Sequence, residues 1–229
     1  MKERPILFSG PMVRAMLEGR KTQTRRVVMP QFNVLHQIRK DCAILTNRIF
    51  RRGDGWIKSP YGQPGDRLWV RETWVELLHT SPGSDQPELC EGDKLIEPAT
   101  SYVGADGKER WTYSGRVIAY RSTSKVEFCD GDGFVGEMAD KEDMPRWKPS
   151  IHMPRWASRI TLEITSIRVE RVNEITADDA EREGCGFGVN DETGGPVARF
   201  RHLWDSINSK RGYGWDANPW VWVITFKRL

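Results

Sequence analysis

Eight consecutive residues, Gly19–Arg26 (GRKTQTRR), gather Arg20, Lys21, Arg25 and Arg26 around Thr22 and Thr24. Lysine supplies a compact charge and arginine a forked set of donors, and with hydroxyls beside them the group suits phosphate or nucleotide oxygens. An exposed basic strand without a ligand has the same composition. In an ideal strand Lys21 and Thr24 point to opposite faces, so a shared site requires a bend between them.

Other candidates lie further along. Glu72, in Val70-Arg71-Glu72-Thr73-Trp74, shares a strand side with Leu68 and Val70. It would be partly buried there and would need a partner, either a neighbour of Arg71 or the edge of a base. His152, Arg155 and Trp156 sit in Ser150–Trp156, a loop restrained by Pro149 and Pro154. That histidine could orient a base or move a proton, or be an ordinary hydrogen-bonding group. Trp69, Trp74, Trp147 and Trp156 stand beside basic residues and could stack on bases, whereas Trp204, Trp220 and Trp222 belong to apolar stripes. Cys129–Gly133 (CDGDG) lacks the spaced carboxylates of a calcium loop and reads as a turn. Four cysteines and four histidines are scattered without metal-ligand spacing, so neither a metal nor a cofactor is expected.

The elements that must position these residues are short. Ile6–Ser9 reads as a strand, followed by a helix from Pro11 to Glu18 with Pro11 in its first turn and Gly19 as its stop. Val13, Met16 and Leu17 should face the core. A turn and strand follow over Arg20–Val28. A Gly65-Asp66 turn enters a strand that runs towards Trp74. Residues 80–145 look like an insertion holding one good strand, Gly115–Arg121. Arg159–Val172 alternates through Ile160, Leu162 and Ile164, then Ile167 and Val169, as one bent strand or two joined ones. Thr176 with Asp179 resembles a capping box for a helix over Ala177–Glu183, stopped by Gly184. Val197–Asn208 places Phe200, Leu203, Trp204 and Ile207 on one helical stripe. Trp220–Phe226 is β-rich and should close a sheet.

Charge is uneven along the chain. Residues 1–60 carry 13 Lys/Arg against four Asp/Glu, and the rest 22 against 28. That favours an anionic partner for the N-terminal part, or a surface balanced in three dimensions by the acidic remainder. No apolar run approaches the ~20 residues of a membrane span, and MKERPILFSG lacks the apolar stretch of a secretion signal. A cytoplasmic, membrane-free protein is expected, and oligomeric state is not legible.

Several of these blocks together resemble the ASCH family: the helix followed by Gly19–Arg26, the Gly65-Asp66-x-Leu68-x-Val70 entry, the Arg159–Val172 strand, the helix with Ala180-Glu181-x-Glu183, and the Val221–Lys227 strand. The Trp147–Arg159 run is similar to longer members encoded by phages and prophages. The resemblance implies an α+β fold: a PUA-like mixed β-barrel with short flanking helices, one domain over 1–229, and an insertion at about 76–157. It implies a cleft for a nucleoside, nucleotide or single-stranded RNA, lined by Arg20, Thr22, Arg25, Arg26, Arg71, Glu72, His152, Arg155 and Trp156. Some small members hydrolyse the amide of N4-acetylcytidine, and their functional residues fall on Lys21, Thr24 and Glu183. For that trio, threonine is a poor nucleophile until a base takes its proton, and lysine is a base only where its pKa is depressed, a direction in which Arg20 and Arg25, as like charges, would push Lys21. Glu183, if kept protonated, would give a proton to the leaving amine. The expected function is therefore a hydrolase, amidohydrolase or ribonuclease. The alternatives are a non-catalytic nucleic-acid-binding module and a phage accessory protein acting through protein contacts.

Overall fold

The computed structural model describes residues 1–31, 48–51, 55–79, 94–97, 101–103, 109–111, 115–123, 146–186 and 194–229. The fold is mixed α and β with few helices. A five-stranded sheet has the order β1-β5-β11-β12-β2, formed by β1 (Glu3–Leu7), β5 (Arg67–Arg71), β11 (Thr161–Arg171), β12 (Trp220–Arg228) and β2 (Gln23–Val27). The β5–β11, β11–β12 and β12–β2 pairs are antiparallel. Among the described residues no pairing closes this sheet into the expected barrel. Smaller sheets are β6-β10-β7 (Trp74–His79, Gly115–Tyr120, Lys94–Glu97), β3-β4 (Arg48–Arg51, Gly55–Lys58) and β8-β9 (Ser101–Val103, Glu109–Trp111). No described helix is long and apolar enough to cross a membrane.

The chain groups into two compact units. The first comprises Met1–Ile6, Ala15–Trp69 and Ile160–Leu229, and the second Leu7–Arg14 and Val70–Arg159. Their boundaries fall inside β1, β5 and helix α1 (Gly10–Leu17). In α1 Val13 and Met16 are buried as their spacing predicts, Ala15 joins them, and Leu17 is only half-buried. Gly19, at φ 75, occupies the left-handed conformation that ends the helix without a β-carbon penalty.

β12 is the centre of the first unit. Val221 to Ile224 are all buried, as in a strand covered on both faces. On one face Val221 and Val223 pack with Val172, Ile175 and Ala180, and with Phe200 and Trp204 of the long helix α3 (Gly195–Asn208). Each fully buried side chain of that size contributes roughly 1.5–3 kcal/mol. In β11 the register against β12 shifts between Ile164 and Ser166, and the apolar phase moves from Leu162 and Ile164 to Ile167 and Val169. One irregular strand therefore accounts for the three-residue step in the pattern.

The second unit has its own core of Trp74, Ile118, Tyr120, Met153 and Ala157. Several expectations need correction. β1 begins at Glu3 and ends at Leu7, earlier than Ile6–Ser9. The described residues of the 80–145 stretch hold three further strands, β7, β8 and β9, besides the expected one. The β3–β4 hairpin had no clear sequence signal. Ile207 is 47% exposed and does not share the stripe of Phe200 and Trp204. Cys129–Gly133 lies outside the described residues.

Candidate functional site

β2 begins at Gln23, so Lys21 and Thr22 form the approach to the strand. Their backbone is fixed from three sides: Lys21 N–H donates to Ala15 O at 2.9 Å, Thr22 N–H to Arg182 O at 2.9 Å, and Phe226 N–H to Thr22 O at 2.9 Å. The lysine side chain is wholly buried. Its Nζ donates to the Glu183 carboxylate oxygen Oε2 at 2.7 Å and to the Glu183 carbonyl at 2.7 Å.

Glu183 is aimed inward by its helix. Thr176 caps α2 (Ala177–Ala180), its Oγ1 accepting from Asp179 N–H at 3.1 Å. The helix then widens into a π-helical turn over Glu181–Cys185, with Gly184 at φ 91. A β-carbon on Gly184 would stand 3.2 Å from Ala15 Cβ and 3.5 Å from Lys21 Cβ. Glycine is therefore required by conformation and by space together. The expected helix over Ala177–Glu183 is replaced by this two-part element, and the π turn carries the functional carboxylate.

Arg25 extends the pair into a network. Its Nη1 donates to Glu183 Oε1 at 3.2 Å and Gln23 Oε1 at 2.7 Å. Its Nη2 meets Asp179 Oδ2 at 2.9 Å and Glu170 Oε1 at 2.5 Å. Arg168 joins through Glu170 Oε2 at 2.9 Å and Asp179 Oδ2 at 2.8 Å. Sheet register explains the convergence: Arg168, Val223 and Arg25 are opposite one another across β11, β12 and β2. Three cations, Lys21, Arg25 and Arg168, thus meet three carboxylates, Glu170, Asp179 and Glu183.

Burial pushes the Lys21 ammonium below its ordinary value; Arg26 adds to this, and the charge and hydrogen bond of Glu183 oppose it. Burial would raise Asp179, but Arg168 and Arg25 outweigh it and hold that carboxyl below its usual range. The expectation that Arg20 and Arg25 depress the lysine is corrected accordingly. Arg20 is exposed and paired with Glu18, its Nε 2.7 Å from Oε2. The fork of Arg25 is occupied by the network.

Thr24 is buried and pairs with Ile224. Strand alternation puts it with Arg26 on the face opposite Gln23 and Arg25. Lys21 and Glu183 are brought together; among the described residues no hydrogen bond joins the Thr24 hydroxyl to either. Glu183 accepts in each of its bonds to Lys21 and Arg25.

The remaining candidates belong to the second unit. Glu72 is 1% exposed and has the partner its position demanded: Arg159 Nε reaches Oε1 at 2.9 Å and Nη2 reaches Oε2 at 3.0 Å. Ser122 Oγ also donates to Oε2. Arg159 sits with its guanidinium 3.9 Å from the Tyr120 ring centroid, inward and not on a basic surface. Arg71 Nη1 donates to Ile151 O at 3.1 Å, while His152, Arg155 and Trp156 are exposed. Of the four tryptophans proposed to stack, Trp69 and Trp74 are buried and Trp156 is 49% exposed.

Arg168, Glu170 and Asp179 were missed. For Arg168 and Glu170 the signal was present, since charged residues at alternate positions of the interior strand β11 require partners and burying an unpaired charge is costly; Asp179 lies on the short helix after it. No protein-family model, curated protein or solved structure matches this chain.

Proposed function

We propose that the chain is a hydrolase of the ASCH type, with a PUA-like fold, that cleaves the amide of an N4-acylated cytosine nucleoside. The observation that supports it is the buried Lys21–Glu183 pair, closed at 2.7 Å between residues 162 positions apart. A lysine held below its ordinary pKa inside a protein is a candidate acid–base group, and this one is presented by the motif that resembles the family.

In this reading neutral Lys21 takes the proton of the Thr24 hydroxyl as its oxygen attacks the acyl carbonyl. The amide C–N bond breaks, the proton passes to the departing N4 amine, and water then releases the acid and restores Thr24. Glu183 receives the ammonium that forms on Lys21. Its two oxygens accept from Lys21 and Arg25, which favours this charge-holding role over that of proton donor. Thr24 must come within reach of Lys21 during the reaction.

Incubation of the protein with N4-acetylcytidine tests the proposal. Cytidine should appear, and Lys21→Ala should slow it by about 10²–10⁴, the range of one general acid–base group. No cytidine, or cytidine release undiminished in Lys21→Ala, overturns it. Thr24→Ala tests the nucleophile separately from the base.

A further inference from the structure

Within the first unit Glu183 is shared between two cations. Its Oε2 accepts from Lys21 Nζ at 2.7 Å and its Oε1 from Arg25 Nη1 at 3.2 Å. Unopposed, the guanidinium would compete with the ammonium for this one carboxylate. It is opposed from its other nitrogen: Glu170 Oε1 lies 2.5 Å and Asp179 Oδ2 2.9 Å from Arg25 Nη2, both nearer to Arg25 than Glu183 is. Arg168 bridges those two acids at 2.9 and 2.8 Å, so their charges are balanced in turn. Three elements supply the group, β2 with Arg25, β11 with Arg168 and Glu170, and α2 with Asp179. The family resemblance assigns no role to Arg168, Glu170 or Asp179.

The surroundings make distant charges felt. The side chains of Lys21 and Arg25 are fully buried and those of Glu170, Asp179 and Glu183 mostly so, and in such places a unit charge acts across the width of a side chain far more strongly than in water. Around Lys21 the charged and titratable neighbours are Glu183 and Cys185 on the π turn and Arg26 on β2. Around Asp179 they are Arg168 on β11 and Arg25 on β2, with a hydrogen bond from Gln23.

We propose that Asp179 and Glu170 are positioning residues for Lys21: by holding Arg25 they leave the Glu183 carboxylate to the lysine, and so set the pH at which the lysine gives up its proton. The use of that proton in catalysis rests on the hydrolase reading; the coupling of the charges does not. Removing the charge of Asp179 leaves Arg25 and Arg168 under-balanced and frees Arg25 to draw Glu183 towards itself. Both effects disfavour the ammonium, so Lys21 deprotonates at lower pH than in the wild type. A structural defect acts in the opposite direction. Burial is the largest influence on Lys21, and water entering a loosened site would raise the lysine towards its ordinary value.

The test is an NMR pH titration of the full chain, isotope-labelled at lysine, with the Lys21 side-chain resonance identified by its loss in Lys21→Met. Asp179→Asn keeps the Thr176 cap, which is made to the backbone N–H of residue 179, and leaves Arg25 with Glu170 and Glu183 and Arg168 with Glu170. Should it fail to fold, Glu170→Gln carries the test, since both arginines then keep Asp179. The Lys21 midpoint should fall below that of the wild type in either variant, and Asp179→Glu, which keeps the charge, should bring it back. An unchanged or raised midpoint overturns the proposal. Turnover of N4-acetylcytidine supplies the second readout: the acid limb of kcat/KM against pH should move to lower pH together with the midpoint. A lowered midpoint without turnover in any form supports the charge coupling and refutes the hydrolase reading alone. Turnover whose acid limb stays in place in Asp179→Asn overturns the positioning role.

Discussion

Glu183→Gln keeps the side chain's shape and removes one of the three negative charges that balance Lys21, Arg25 and Arg168. Arg25 would retain Glu170 at 2.5 Å and Asp179 at 2.9 Å. Lys21 would keep the carbonyl of residue 183 and face a neutral amide in place of the carboxylate. Removing one partner of a buried ion pair costs about 3–5 kcal/mol. There is a ceiling, because the lysine can fold neutral at about 1.4 kcal/mol for each unit between its reference pKa and the pH. From the reference of 10.5 to pH 7 that is about 4.8 kcal/mol, in line with the first figure. In the variant a neutral folded lysine faces a protonated unfolded one. The unfolded state then binds the extra proton, so stability rises with pH, by about 2.7 kcal/mol from this group between pH 7 and 9. Lys21→Met leaves Glu183 with Arg25 at 3.2 Å and should cost less, about 1–3 kcal/mol. Urea unfolding of both variants at pH 7 and 9, with m-values compared, measures these differences. A Glu183→Gln loss under about 1 kcal/mol at pH 7, or a larger loss in Lys21→Met, would refute the charge balance derived from this network.

Gly184→Ala must hold φ 91 with a β-carbon 3.2 Å from Ala15 Cβ, and should lose about 2–4 kcal/mol in denaturant titration, strain and overpacking together. A loss below about 0.5 kcal/mol would mean that the π turn relaxes freely. Thr176→Ala removes the cap on Asp179 N–H and should cost about 1 kcal/mol by the same measurement, with Thr176→Ser restoring most of it. Burial would raise the carboxyl of Asp66, but the Lys2 amide, Arg4 and the Gln63 amide outweigh it and hold it below 3.8. Its contribution to stability is therefore present above the unfolded pKa and is lost as pH falls through the depressed folded value. Melting curves of Asp66→Asn should accordingly be flatter than wild type below about pH 4, and equal slopes would remove Asp66 as a source of acid sensitivity.

Local signals were legible wherever one physical cause dominated. Val13 and Met16 at helical spacing, Pro11 before them and Gly19 after them mark α1. Thr176 marks the start of α2, and the apolar step between Ile164 and Ile167 marks the irregularity in β11. What failed depended on distant residues. Ile207 continues the spacing of Phe200 and Trp204, but nothing from the sheet covers it, since Val221 and Val223 end up beneath the other two. The strands over 94–111 are three or four residues each, too short to establish alternation. Glu72 was read correctly as a buried acid in need of a partner. Arg159 could not be named, because 87 residues separate the two.

The Gly19–Arg26 segment shows how charge read along a chain differs from charge in space. Its composition suggested four cations available to an anion, but Arg20 is paired with Glu18, Lys21 with Glu183, and Arg25 with Glu170, Asp179 and Glu183. Three of these acids lie in 170–183, so part of the N-terminal excess is neutralised by the acidic C-terminal portion once β2 joins β12 and the π turn folds inward. A network with as many carboxylates as cations has little field to offer a polyanion. What it does hold is a buried lysine kept below its ordinary pKa, the feature on which the proposed amide hydrolysis rests. The acid-free 146–159 run lies in the part of the chain whose total is negative, so its charge was hidden by the count. There Arg146, Lys148, His152 and Arg155 face solvent beside an exposed tryptophan.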